Sequence, residues 1–436
     1  MRTEQLTKGD MKVIDDFIRP LIKDTLYLDE SAANEYLYGS SKSGLLGIPK
    51  LAEEVDVMMV GNAFKLLTSK DQRIQELAWG DLLLHARKRT GLDPSPSLIE
   101  SFLNGVQDEE GFRHTSCPYS STWSHPRSAT SRLGIKWRCR ELFDIELHID
   151  DKVLTQNDRT KICRTIKESL RACWTQELIA KPSQGVEIEV SSLHRASSHF
   201  LQSGNYTKFA DWRFIHNARL NLLRLNGNTP WDKSLSQCRR CPAPVESTLH
   251  VLSLCKPNMG RRTLRHNAIV DRIHNAKRRD WQVLTMNQSL GDERLRPDLV
   301  ITKGKNEAII LDITIPYENR IQAFETARAE KKRKYTNIAT LLSKDYKNVS
   351  VEAIIVGALG SWDPANDLVL RRFTNKRYIP KLRKLCVSDA ITHTRQIFQK
   401  NVMGYIPPES RLRARAANIT NIPSDNLPDY DDSTHV

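Results

Sequence analysis

Arg296-Pro297-Asp298-Leu299-Val300-Ile301 reads as the start of one strand, and Ala308-Ile309-Ile310-Leu311-Asp312-Ile313-Thr314-Ile315 as a second. Gly304 to Glu307 lies between them as a short turn, so the two strands predict a hairpin. In the second strand Ile309, Leu311, Ile313 and Ile315 share one face, while Ala308, Ile310, Asp312 and Thr314 share the other. One face is wholly apolar and the other half apolar, which predicts a central, buried strand. Asp312 is then the anomaly, because a carboxylate at that depth is costly unless a cation or hydrogen-bond donors meet it. Asp298, at the start of the partner strand, could approach the same spot. Two aspartates on adjacent strands make a hard, oxygen-rich pair suited to Mg²⁺, which needs only one or two protein carboxylates besides water and phosphate oxygens.

The segment that follows predicts a helix with Ile321, Phe324, Tyr335, Ile338 and Leu342 on one stripe. Lys331 falls on that stripe and Lys334 at its edge, whereas Lys332 and Arg333 point elsewhere. A lysine facing a sheet asks for an anion or a carboxylate. Strand, strand and helix thus predict a site of Asp298, Asp312, Lys331 and Lys334. Read one at a time, the same residues are a capping aspartate, a salt-bridged aspartate and solvated lysines. Glu318, just past the second strand, could assist a metal or be solvated.

Upstream, Cys238, Cys241, His250 and Cys255 are spaced C-x2-C-x8-H-x4-C. Two thiolates from a tight turn, and a histidine and a thiolate from a helical turn, can close a tetrahedron around zinc. Four ligands leave no open position, so the expectation is a structural site. Arg239 and Arg240 sit inside the first pair, where they could face a phosphate backbone or be solvated. Arg261, Arg262, Arg265 and His266 open a basic helix that could track nucleic acid. His266 could also be a ligand or an ordinary surface histidine.

The rest of the chain sets these motifs in order. A length of 436 residues predicts two to four folding units. Residues 1–90 read as helical, with a turn at Gly44-Leu45-Leu46-Gly47-Ile48-Pro49. Residues 91–131, rich in Pro and Ser, read as a flexible connector with one short helix near Leu98 to Leu103. Residues 132–228 read as a helical region with Trp137, Leu142, Ile145, Ile162, Ile166 and Leu170 in its core, and Phe209 to Leu225 as an amphipathic helix stopped by Asn226-Gly227-Asn228. The knuckle occupies 229–260, an α/β core 261–390, and the polar tail 407–436 reads as disordered. The fold class expected is therefore mixed: a helical amino-terminal half, a small zinc knuckle and an α/β core.

Net charge of +14 points to a polyanionic partner, nucleic acid before membrane. No stretch approaches the roughly 20 apolar residues of a membrane helix, and the first residues carry no secretory pattern. Eight cysteines in a chain this long do not make a secreted disulfide framework.

Residues 238–335 resemble the carboxyl-terminal region of site-specific non-LTR retrotransposon proteins, the group that inserts into ribosomal RNA genes. That family pairs a Cys-Cys-His-Cys knuckle with a restriction-enzyme-like endonuclease of the PD-(D/E)xK type. Its Pro-Asp pair, second aspartate, and helix lysines before a tyrosine are matched by Pro297-Asp298, Asp312 after 13 intervening residues, Lys331 and Lys334-Tyr335. Arg265-His266 is similar to its upstream Arg-His pair. Ala218-Arg219-Leu220-Asn221 resembles the segment before the knuckle, and the turn at 44–49 a thumb-region turn, departing from it at Leu45. The resemblance implies a Mg²⁺-dependent DNA endonuclease with structural Zn²⁺, acting in the nucleus on a DNA target, with element RNA as a further partner and no membrane or small-molecule substrate. It also implies a reverse transcriptase thumb remnant over 1–90. The paired aspartates of the polymerase palm have no match, since Phe209-Ala210-Asp211-Trp212 holds only one, so polymerase activity is not expected. The alternative is a catalytically silent nucleic-acid-binding remnant. The run Lys331 to Lys334 could also serve as a nuclear-import signal.

Overall fold

The computed structural model describes residues 7–105, 122–228, 236–290 and 295–404. The chain opens with α1 (Lys8–Thr25), α2 (Asn34–Tyr38), α3 (Leu51–Leu67), α4 (Gln72–Thr90), α5 (Pro96–Leu103) and α6 (Ser124–Leu133). Local chemistry sets these bounds. Thr7 and Asp10 form a capping box at α1, Asp71 caps α4, and Gly91 ends α4 in the left-handed region at φ 73°. The expected turn at 44–49 is present, with Gly44 and Gly47 both at positive φ.

The segment read as a connector is built into the structure where it is described. Ile99, Phe102, Leu103, Trp123 and Ala129 from α5, α6 and their approaches are buried in one core with Phe64 and Trp79. Proline marks a helix start here, Pro96 following the Ser95 cap, and does not signal a linker. Residues 106–121 of that segment, and the tail from 405, lie outside the described residues.

A second correction concerns 132–228. A three-stranded antiparallel meander stands at its start: β1 (Lys136–Glu141), β2 (Asp144–Ile149) and β3 (Lys152–Leu154). Trp137, Cys139, Ile145, Leu147 and Ile149 alternate inward onto the core of α3 and α4. Leu142, expected in the core, lies 38% exposed in the β1–β2 turn. Helices resume with α7 (Ile162–Ile179), α8 (Val186–Ser191), α9 (Phe200–Ser203) and α10 (Phe209–Arg219). The last is shorter than its periodicity suggests, because Asn221 turns to φ 54° and its side chain accepts a hydrogen bond from Thr248.

The carboxyl-terminal part comprises α11 (Met259–Asn275), β4 (Gln282–Met286), β5 (Leu299–Lys303), β6 (Glu307–Thr314), α12 (Arg320–Lys334), α13 (Thr336–Leu342), β7 (Asn348–Ile355), α14 (Asn366–Phe373) and α15 (Ile379–Met403). The sheet order is β4-β5-β6-β7, antiparallel except for the parallel β6–β7 pair, so β6 is central. The predicted hairpin is present, with Val300 opposite Ile310; β4, a short edge strand, was not foreseen. Strand parity holds as read. Leu299, Ile301, Ile309, Leu311 and Ile313 pack into the largest core, which α11, α14 and α15 cover. Val300 and Ile310 face Tyr335, Ile338 and Leu342 on the other side.

One buried group makes the junction between the two parts sensitive to pH. Glu187 of α8 accepts a 2.6 Å hydrogen bond from the Tyr317 hydroxyl, while its Oε2 has no partner. Burial pushes this carboxyl up to about 7, from an ordinary 4.5. Between those two values the folded chain holds a proton that the unfolded chain has lost. This contribution to stability therefore falls as pH rises from about 4.5 to about 7. Glu187→Gln, which keeps an acceptor for Tyr317, is expected to stabilise the chain by about 2 kcal/mol at pH 8 and hardly at all at pH 4.5. Thermal midpoints at the two pH values check this, and an equal effect at both would sink it.

Candidate functional site

The four knuckle residues converge as their spacing predicts. The ligand atoms of Cys238, Cys241, His250 and Cys255 all lie within 4.8 Å of one another. Cys238 donates its amide to the Ala243 carbonyl at 3.0 Å, which closes the tight turn carrying the first two thiols. His250 begins a short π-helical turn, His250–Leu254, that delivers Cys255. Cys241 Sγ is 3.2 Å from His250 Nε2 and 4.0 Å from Cys255 Sγ. Tetrahedral zinc with thiolates at 2.3 Å requires sulfurs about 3.8 Å apart, so the cluster could hold zinc with little movement. Burial pushes the Cys255 thiol up to about 12, a penalty that a bound cation removes.

The arginines of the knuckle are exposed and make hydrogen bonds within the fold. Arg239 meets Glu246 at 2.8 Å and also donates to Asn226. Glu246 is fully buried, and its oxygens further accept from the amides of Asn226 and Arg239 and from the Asn401 side chain. Arg240 donates to the carbonyls of Asn401 and Val402 at the end of α15. Arg265 is 2% exposed and donates to Thr394 Oγ1 and the Leu252 carbonyl. Of these three arginines, all expected to contact nucleic acid, Arg265 is buried in ties within the fold, whereas Arg239 and Arg240 make their ties from exposed positions. The reason is visible in α11, where Arg265 lies one and two helical turns before the buried Ile269 and Ile273. Arg261 and Arg262 remain half-exposed on that helix.

The second site is assembled on the sheet. Asp312, 2% exposed in β6, and Asp298, 8% exposed just before β5, occupy the same face by register. Tyr335, at the α12–α13 break, donates its hydroxyl to Asp312 Oδ1 at 2.6 Å. Lys331 places Nζ 2.5 Å from Asp312 Oδ2. Among the described residues that buried oxygen is met by the Lys331 ammonium alone. Lys334 reaches the same group indirectly, 3.0 Å from the Tyr335 hydroxyl oxygen. Lys332 turns away, towards Glu352.

Asp298 Oδ2 accepts the Ile313 amide at 2.7 Å and faces His266 Nε2 at 3.2 Å. His266 Nε2 is also 3.0 Å from the Ile313 carbonyl. Both partners are acceptors, so Nε2 carries the proton. Burial depresses this imidazole, but the Asp298 carboxylate outweighs it and raises the pKa to about 8. The structure places the half-buried His266 beside Asp298. Asp298, Asp312, Lys331, Lys334 and His266 thus come together from two strands and two helices. Glu318 is neither solvated nor near a metal position: it is fully buried, accepting the amides of Leu359 and Ser361. Asp211, the lone aspartate of 209–212, is buried in an ion pair with Arg395.

No family model matches the chain. Over 180 residues, 37% of its length, it is 30% identical to the Retrovirus-related Pol polyprotein from type-1 retrotransposable element R2 of Nasonia vitripennis, covering 16% of that protein. Over 411 residues, 92% of its length, it is 21% identical to the protein of the same name from Popillia japonica, covering 70% of it. Its relatives are R2 retrotransposon Pol polyproteins. The chain spans well under two thirds of the Nasonia protein, so what the whole polyprotein does is not carried over by length alone. Among the described residues, no helix is long and apolar enough to cross a membrane.

The knuckle is open to direct test. The purified chain is expected to carry one zinc per molecule by atomic absorption, and Cys255→Ser to carry less than half of that. Chelation should raise hydrogen exchange at the end of α15, where Asn401 and Arg240 meet the knuckle. Full-length, reduced protein that binds no zinc would rule the metal out.

Proposed function

We propose that this chain is a metal-dependent DNA endonuclease module of a non-LTR retrotransposon protein, nicking one strand of a target duplex to leave a 3′-hydroxyl that primes reverse transcription. The observation that carries the reading is the convergence of Asp298, Asp312 and Lys331 on one face of a mixed sheet, with the buried Asp312 carboxylate paired to Lys331. That combination is what a restriction-enzyme-like core uses, and the similarity to R2 Pol polyproteins supports it.

Asp312 and Asp298 would hold Mg²⁺, a fit with the hard oxygen donors and with Asp312 Oδ2 in particular. When bound, the ion supplies a more acidic water and charge compensation at the phosphodiester. Tyr335 fixes Asp312 through Oδ1, while Oδ2 faces the Lys331 ammonium. Lys331, a quarter exposed at its side chain, stands where it can stabilise negative charge growing on a phosphate oxygen. Lys334 stands at the exposed rim and would meet a neighbouring phosphate. His266 holds Asp298 from below, its Nε2 proton shared between that carboxylate and the Ile313 carbonyl. Arg261 and Arg262 extend the cationic track along α11. The knuckle would be the structural zinc site beside it, and residues 1–90 a thumb-derived helical unit. The site of action on chromosomal DNA would be the nucleus.

Nicking of supercoiled plasmid in Mg²⁺ tests the reading. Asp312→Asn and Lys331→Ala are each expected to lower the rate by about two orders of magnitude or more, the scale of several kcal/mol of charge stabilisation. Circular dichroism of both variants should match the parent. No nicking by folded, zinc-loaded protein, or nicking that survives Asp312→Asn, would overturn the assignment. The first outcome would leave a nucleic-acid-binding remnant in its place.

A further inference from the structure

Helix α12 carries Lys331 and ends at Tyr335, yet very little apolar surface holds it down. Of its 15 residues only Phe324 is buried, against Val190 of α8 and Ala353 and Ile355 of β7. The remaining ties are polar and come from one face. Arg320, Phe324, Arg328 and Lys331 follow one another at intervals of four, four and three residues, so they line a single side of the helix. Arg328 donates to the Ala353 carbonyl at 2.9 Å and to Asp363 at 2.5 Å, and Lys331 meets Asp312. Those partners all belong to the carboxyl-terminal part. The partner of Arg320 does not.

Arg320 opens α12 and reaches back across the junction, donating to Glu189 of α8 at 2.6 Å and to the Ile179 carbonyl at 2.9 Å. Its backbone adopts φ 64°, a conformation that is unfavourable for a long side chain and persists only where the surroundings fix it. Asn319 gives the helix no side-chain cap. Glu189 stands in for one, with one oxygen on Arg320 and the other 3.4 Å from the Ile321 amide, a negative charge at the positive end of the helix. Two residues earlier on α8, Glu187 holds the Tyr317 hydroxyl. The first turn of α8 therefore grips the β6–α12 connection on both sides of Glu318.

We propose that Glu189 is a positioning residue for the nuclease site: it latches the start of α12 and thereby sets the reach of Lys331 to the phosphate. The role rests on the nuclease reading of Asp298, Asp312 and Lys331. Lys331 stands about 10 Å along the helix from its one buried contact at Phe324. A tilt of about 10° around that contact would carry the lysine about 2 Å, and a displacement of about 1 Å can cost roughly a hundredfold in rate. Arg328 still restrains the helix when the latch is lost, so the expected cost is smaller, about tenfold. Glu189 lies in the helical linker region, so the nuclease site is held in register by a side chain from outside its own sheet and helices.

Plasmid nicking by the full zinc-loaded chain, with kcat and KM measured separately, tests the role. Glu189→Ala is expected to lower kcat about tenfold and to leave KM within about twofold, since Glu189 makes no contact with DNA. Glu189→Gln keeps an acceptor for Arg320 and for the Ile321 amide, and should recover most of the loss. In a Lys331→Ala background Glu189→Ala should cost nothing further, because its effect passes through Lys331. A further tenfold loss in that background, or a Glu189→Ala chain that nicks as the parent does, would overturn the role. Hydrogen exchange gives a readout that needs no activity: Glu189→Ala should speed exchange of the Lys331 to Tyr335 amides, about three helical turns from the lost contact. Faster exchange there beside a parent that does not nick would keep the latch and refute the nuclease. Unchanged exchange there beside a parent that nicks would refute the latch and keep the nuclease.

Discussion

The amino-terminal and carboxyl-terminal parts are joined through a pair of opposite charges buried around one loop. Arg219, at the end of α10, is 2% exposed and donates to the Leu359 carbonyl, the Ser197 carbonyl and Ser198 Oγ. Glu318, beyond β6, accepts the amides of Leu359 and Ser361. Burial pushes the Glu318 carboxyl above its ordinary range, opposed by the Arg219 charge and by those amides. Each group would be prohibitively costly alone, and together they saturate the backbone of the segment that follows β7. The loop can be gripped this closely because Gly357 has no side chain: a Cβ there would lie 2.0 Å from Glu318 Oε1. Trp362, at the end of the loop, donates its amide to Ser197 Oγ, so the loop is stitched to the linker region from both ends.

From that fixed junction the sheet obtains the rigidity that a buried carboxylate demands. β6 pairs on both sides, and its neighbours bury both faces, so Asp312 has no freedom to reach solvent. Its charge must be answered locally, by Tyr335 and Lys331 from a single helical segment. The break between α12 and α13 at Tyr335 is what turns the hydroxyl inward while the preceding lysines remain on the rim. One oxygen of Asp312 is met by the Tyr335 hydroxyl and the other by the Lys331 ammonium.

How much of this could be read from the chain depends on whether a residue's environment is set locally. The β5–β6 hairpin and the facing of Asp312 were legible because strand parity is a property of consecutive residues. Lys331 was legible because it shares a helical stripe with Phe324 and Tyr335. The knuckle was legible because its spacing is itself the geometry. The meander at 136–154 was read as helix. Trp137, Leu142 and Ile145 happen to fall near helical spacing, while the alternation of Ile145, Leu147 and Ile149 is short. The ties that Arg239, Arg240 and Arg265 make within the fold were not legible, for a different reason. A guanidinium looks the same in sequence whether it faces water, phosphate or the carbonyls of a distant helix, and Asn401 and Thr394 lie more than a hundred residues away. Glu246 carried no signal at all, since its four partners are gathered from three segments.

The ties of Asn258 and Arg265 also explain why the knuckle and the carboxylates are adjacent. Cys255 is separated from α11 only by the turn Lys256–Asn258, and His266 follows two turns into that helix. Asn258 donates to the Val251 carbonyl in the knuckle and to Asn401 of α15. Arg265, next to His266, donates to Leu252 of the knuckle and to Thr394 of α15, and Arg272 further along pairs with Asp389. The first turns of α11 are therefore set by the knuckle on one side and α15 on the other. His266 has to meet Asp298 and the Ile313 carbonyl with a single nitrogen, at 3.2 and 3.0 Å, a geometry that tolerates little sliding of the helix. The packing of the knuckle fixes the start of α11 and, through it, the reach of His266 to the carboxylate. The knuckle contributes to the sheet site by holding that helix in register through Leu252 and Asn258.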